Sequence, residues 1–215
     1  SAGFLVYEQS NYNIFYKNSA THSGDGFFLW AGQTTMDTGE GGCNDNVITG
    51  NDFSYAPTNG VEVTFSRVSV TDNLIFGCDH GIWGGYSFNS KFCNNKFRDN
   101  RIALAIEHGV HNEISYNEFS KDKEAIRLWS RKQQPADWGY AKFRDTRSAD
   151  YIITKNRFDQ HPVGLNLTGT DSVRIAENTW VGPQIMKLDA TVTHIDSGVV
   201  ELIDSAMSLP VIKDA

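Results

Sequence analysis

Short runs in which apolar and polar residues alternate return along this chain at a fixed interval. One side of the runs carries Phe27/Leu29, Val61/Val63, Ile82/Gly84, Leu104/Ile106, Ile126/Leu128 and Leu165/Leu167, the period-two signature of a half-buried strand. A small residue opens each of them: Gly26, Gly60, Gly81, Ala103, Ala125 and Gly164. Asparagines stand ahead of these openings at Asn18, Asn51, Asn73, Asn95, Asn117 and Asn156, and Asn178 follows in step, at separations of 33, 22, 22, 22, 39 and 22 residues. Three residues before each Asn is an apolar residue (Phe15, Ile48, Val70, Phe92, Ile114, Ile153, Ile175). Two after it is another (Ala20, Phe53, Ile75, Phe97, Phe119, Phe158, Trp180). Chance could align a few of the 17 asparagines, but not seven together with apolar and small-residue columns.

Each 22-residue unit then makes one turn of a coil of short strands, with equivalent residues stacked roughly 4.8 Å apart. An Asn at a buried bend can hydrogen-bond to the Asn above and below, so this column is read as structural rather than catalytic. The pattern predicts an all-β parallel solenoid of about seven to eight coils over residues 1–188, with almost no helix. Residues 189–215 fall out of period and are expected to cap the core, with Gly198 to Leu202 as one more strand. The first strand, Phe4 to Tyr7, is already in register, which points to flanking coils or domains of a longer chain. Without an initiator Met or a signal peptide, the chain reads as a mature or excised segment.

The motif N-x-F followed by G-I-x-L, seen in Asn156-Arg157-Phe158 with Gly164-Leu165-Asn166-Leu167, resembles the repeats of the right-handed parallel β-helix superfamily. The resemblance covers about residues 3–188. That superfamily includes pectate-lyase-like enzymes, polysaccharide hydrolases and epimerases, phage tailspikes, and sugar-binding and sugar-hydrolase modules. The resemblance implies a carbohydrate partner and an extracellular or periplasmic location. It specifies fold far better than chemistry.

A formal charge of −7 argues against nucleic acid and anionic membrane surfaces as partners. The apolar runs are four or five residues long, far short of a membrane span. Three cysteines, Cys43, Cys78 and Cys93, match neither a zinc ribbon nor a redox pair and leave the compartment open. Three Met and no His/Met/Cys cluster argue against copper handling. No cofactor or metal is expected. Asp37, Glu40 and Asp45 are the one weak calcium candidate, without a recognisable spacing.

The two long steps in the repeat place insertions at residues 31–44 and 130–149, both at the corner after strands ending in Trp30 and Trp129. Long loops in a tight repeat are usually functional. With four coils between their roots, they are expected to stand as walls roughly 19 Å apart. The outward residues between them form two columns: Phe28, Glu62, Trp83, Ala105, Arg127, Asn166, and Trp30, Thr64, Gly85, Glu107, Trp129, Thr168. Three outward tryptophans make a costly exposed patch unless something covers them, and indole faces suit sugar rings. The plainer alternative is that the insertions fold down over them.

Glu62, Glu107, Asp79, His80 and Arg127 are the candidate catalytic residues, with Trp30, Trp83, Tyr86, His108, Trp129 and Arg67 binding substrate. The first reading is an inverting glycoside hydrolase, with Glu62 and Glu107 as the carboxylate pair; their backbones are roughly 12 Å apart. A polysaccharide lyase or epimerase would instead use His80 or His108 as base, with Arg67, Arg127 or a metal ion neutralising a uronate. A non-catalytic binding or stalk module is the third reading. Glu107 paired with Arg127, or His80 serving only as a capped corner residue, would be purely structural outcomes.

Overall fold

The computed structural model describes residues 1–194. Every named strand pairing is parallel, and the strands form three faces of a coil. Face one stacks Ala2–Tyr7, Asp25–Trp30, Asn59–Val63, His80–Trp83, Ile102–Glu107, Glu124–Trp129 and the first parts of Val163–Ala176 and Ile185–His194. These eight strands match the seven to eight coils that the repeat predicts. Face two runs from Ile14–Tyr16 through Val68–Thr71 to Ser148–Thr154 and the later part of Val163–Ala176. Face three holds Leu74–Phe76, Lys96–Arg98, Glu118–Ser120, Arg157–Asp159 and Thr179–Val181. Among the described residues helix is confined to Gln33–Thr38 and Tyr140–Phe143. The chain is still in a strand up to His194, and the Gly198 to Leu202 segment lies outside the described residues.

The asparagine column forms a continuous ladder. Each backbone N–H, from Asn18 to Asn156, donates to Oδ1 of the next Asn at 2.9–3.0 Å. Each Nδ2 from Asn51 onward also donates to the carbonyl of the apolar residue one coil back, such as Asn73 to Ile48 and Asn95 to Val70. The residue before each ladder Asn is left-handed, with φ from 54 to 68° at Lys17, Gly50, Asp72, Asn94, Tyr116, Lys155 and Glu177. That conformation suits Gly50, is tolerated by Asp72 and Asn94 and is unfavourable for the others, and the amide bonds on either side hold it.

The other two corners carry ladders of mixed residue type. At the corner between faces one and two, Val68 N–H donates to Ser90 Oγ and Ser90 N–H to Asn112 Oδ1. Between faces three and one, Cys78 N–H donates to Asn100, Asn100 to Asp122 and Asp122 to His161 Nδ1. Inside, Phe97, Phe119, Phe158 and Trp180 stack at 4.1–5.0 Å with planes within 8° of parallel. The small-residue column makes room for this stack. A Cβ at Gly81 would lie 2.4 Å from the Ala103 carbonyl and 3.0 Å from the Phe97 ring.

The insertions do not stand apart as walls. Met36, from the first, and Tyr140, from the second, bury with Ala31, Phe65 and Tyr86, while Trp30 and Trp138 pack against them. Arg144 Nε donates to the Gly39 carbonyl at 2.6 Å, and a Cβ on Gly139 would lie 1.6 Å from the Asp37 carbonyl oxygen. Apolar side chains on both loops gain more by burial against Phe65 and Tyr86 than by standing in water. The loops therefore meet over the corner next to face one.

Candidate functional site

The strand register places the first outward column side by side as expected: Leu5, Phe28, Glu62, Trp83, Ala105, Arg127, Asn166 and Lys187. In the second, Glu107, Trp129 and Thr168 are neighbours. Ala105 points outward yet is fully buried. The indoles of Trp83, its neighbour in register, and Trp129 approach to 5.5 Å at 59°.

Beside Trp83 is a hollow of about 340 Å³ lined by Thr58, Asn59, Glu62, Asp79, His80 and Trp83. Asn59 Nδ2 donates to Glu62 Oε2 at 2.9 Å and to Asp25 Oδ1 at 3.1 Å, bridging two carboxyl groups. Asp25 Oδ1 also accepts from Asn59 N–H at 3.1 Å and Thr58 Oγ1 at 2.6 Å. Burial, reinforced by the charge of Asp25 and opposed by the Asn59 bond, pushes the Glu62 carboxyl up to about 7. At neutral pH a substantial fraction of Glu62 therefore carries its proton.

Asp79 and His80 lie in the same hollow but are engaged elsewhere. Arg101 grips Asp79 at 2.5 and 2.8 Å, holding that carboxyl below its ordinary range. Arg101 Nη2 is also 3.0 Å from His80 Nε2, and His80 Nδ1 is 3.2 Å from Asp79 Oδ2. A guanidinium only donates, so Nε2 accepts and Nδ1–H faces the carboxylate. Burial lowers the histidine accordingly.

The other expected residues are not brought into the hollow. Glu107 is 5% exposed; Trp129 Nε1 donates to it at 2.9 Å and Arg131 pairs with it, in place of Arg127. Arg127 binds Glu124, with Nε at 2.7 Å; burial pushes Glu124 up most strongly, but the hydrogen bond and charge of Arg127, the Asn166 amide and the Lys187 charge together outweigh it, and the carboxyl is lowered. Tyr86 and His108 are buried and stacked on each other at 4.9 Å, beneath the second insertion. Trp30 packs against the cluster under the insertions. Arg67 is at the corner between faces one and two, held by Asp45 through two 2.7 Å bonds. Asp37 accepts from Gln33, and no group of three or more His, Cys, Asp or Glu able to hold a metal occurs among the described residues.

Asp25, Asn59 and Arg101 were missed by reading the sequence. Asp25 and Asn59 stand just before the small residues Gly26 and Gly60. That slot also holds His80 and Glu124, and it faces outward ahead of the small-residue column.

The family model described as "Right handed beta helix region" matches residues 1–136. The chain belongs to that family. No match was found among curated proteins or among solved structures. Membership establishes the handedness and repeat of this β-helix.

Proposed function

We propose that this β-helix binds a glycan along face one and hydrolyses it at the hollow beside Trp83. The observation that carries the reading is Glu62, a half-buried carboxyl that keeps its proton to about neutral pH beside a second carboxyl and an aromatic platform. A sugar ring stacked on Trp83 would present its glycosidic oxygen to Glu62, which donates the proton as that bond breaks. Asp25 replaces Glu107 as the partner carboxylate. Bridged by one amide nitrogen, the Asp25 and Glu62 oxygens are at most about 6 Å apart, closer to the ~5–5.5 Å of retaining glycosidases than to the ~6.5–9.5 Å of inverting ones. Asp25 then attacks the anomeric carbon, forming a glycosyl ester. Glu62, now ionised, takes a proton from the water that releases the sugar. Asn59 keeps both oxygens aligned throughout.

A lyase has less support, because His80 Nε2 and His108 Nε2 each already accept an N–H. The test is incubation with neutral and uronic-acid polysaccharides, following both reducing ends and the ultraviolet absorbance of unsaturated products. Reducing ends without absorbance, lost in Glu62→Gln, support hydrolysis. Unsaturated product, or activity unchanged in Glu62→Gln, overturns it.

A further inference from the structure

We propose that His108 is an acid-released clasp that ties the second insertion down over the aromatic corner. Its ring reaches that loop at both roots. Nδ1 is 2.5 Å from the Thr146 carbonyl, and Nε2 is 3.1 Å from the Arg131 N–H. A carbonyl only accepts and a backbone N–H only donates, so the bound ring is neutral with its proton on Nδ1. Between these roots, Gln134 donates to Thr146 Oγ1 at 2.7 Å and accepts from the Tyr86 hydroxyl at 3.2 Å. Tyr86 in turn stacks on the imidazole and on Phe65. The clasp thus closes the loop onto the body of the coil from inside.

The groups facing the imidazole have opposing effects. Burial lowers its proton affinity first; the Thr146 carbonyl and Glu107, on its own strand, raise it, and Arg131, on the insertion, lowers it again, with a net lowering. Tyr86 and Tyr140 are pushed far above their usual range by burial and stay neutral. The sign follows. The closed loop needs the neutral ring, so closure is complete above the ordinary histidine range and weakens as pH falls below it. A proton on Nε2 would point at the Arg131 N–H, donor against donor, and that bond is lost.

Release would reach face one through Arg131. The same residue pairs with Glu107, which holds Trp129 Nε1, and Trp129 leans against Trp83. Acid would loosen one side of the aromatic platform. This last link rests on the glycan reading, whereas the clasp itself does not.

The test therefore reads the loop and the ring without any glycan. Ring-nitrogen NMR of the wild type at about pH 7.5 should show His108 with Nδ1 protonated and Nε2 bare. Hydrogen-exchange protection of residues 131–147, corrected for intrinsic rates, should fall at least about tenfold on going to about pH 5. In His108→Gln, whose amide can donate and accept without titrating, protection should be flat over that range. An Nε2-protonated ring at neutral pH, unchanged wild-type protection, or the same acid response in His108→Gln each overturns the clasp. Should that variant fail to fold, the two wild-type measurements decide.

Discussion

Asp122→Asn should stabilise this protein at neutral pH, although it removes a charge from a hydrogen-bonded site. Asp122 is fully buried in the ladder between faces three and one, where its Oδ1 accepts from Asn100 N and Nδ2 at 2.9 and 2.8 Å. Its Oδ2 has no hydrogen-bond partner. In the coil before, the atom in that position is Asn100 Nδ2, which donates to the Ile75 carbonyl. The repeat therefore aims Oδ2 at the equivalent carbonyl of Phe97, an acceptor that a carboxylate repels. Burial raises Asp122 from 3.8 to about 7. The folded state thus holds a proton that the unfolded chain loses near 3.8, so stability falls as pH rises across that window and levels off above about 7. Three pKa units correspond to about 4 kcal/mol of penalty at full ionisation. Asn removes that penalty and supplies a donor for Phe97, a gain of about 1 kcal/mol. Urea unfolding of both proteins should show the variant ahead by about 2–5 kcal/mol at about pH 8 and by about 1 kcal/mol at about pH 4. His161 Nδ1, 3.1 Å from Asp122 N and 3.8 Å from Oδ2, is the competing holder of a proton. If Asn destabilises the protein at about pH 8, Asp122 is an anion paired with a protonated His161, and the reasoning is refuted.

On a glycan that the parent cleaves, Glu62→Gln should cut kcat at least about 100-fold with little change in binding. The wild-type rate should decline as pH rises through about 7, because the acid form is the one that works; a rate still rising there would exclude Glu62 as the acid. Trp83→Ala should weaken binding about tenfold, measured by calorimetry on the Glu62→Gln background, with thermal unfolding little altered. Asn95→Ala, in mid-ladder, strips the acceptor from Asn73 N and Nδ2 and the donor from the Val70 carbonyl. Urea unfolding should then show a loss of about 3–5 kcal/mol.

The coil was legible because one residue type filled one corner. Only Asn both accepts the neighbouring backbone N–H and donates to the carbonyl a coil back, so that column is nearly uniform from Asn18 to Asn178. The other corners escaped notice for the opposite reason. There Ser90, Asn112, Asn100, Asp122 and His161 all offer an acceptor to a backbone N–H, and no single letter repeats. The insertions were placed at the correct corner, but their direction depended on Met36, Trp138 and Tyr140, apolar residues that a loop standing in water would expose. Arginine pairing was not legible at all. Arg101 and Arg131 each reach the preceding coil, a choice that their long side chains make after the backbone is set.

That choice decides which carboxyl on face one keeps its proton. Stacked coils offer every outward side chain a neighbour roughly 4.8 Å above and below, and on this side of the coil a cation from the next coil or from further along the same strand usually meets a carboxylate. Asp79 has Arg101 and Glu107 has Arg131 from the following coil, and Glu124 has Arg127 three residues along its own strand. Glu62 has Trp83 on one side, Phe28 on the other, and an amide that it shares with Asp25. Aromatic neighbours exclude water without supplying charge, so ionising Glu62 places a second anion beside Asp25 in a poorly solvated pocket. The three paired carboxylates serve the fold. Glu62 is left with an acid's properties at neutral pH, and the indole that helps to desolvate it is also the surface on which a sugar ring would rest.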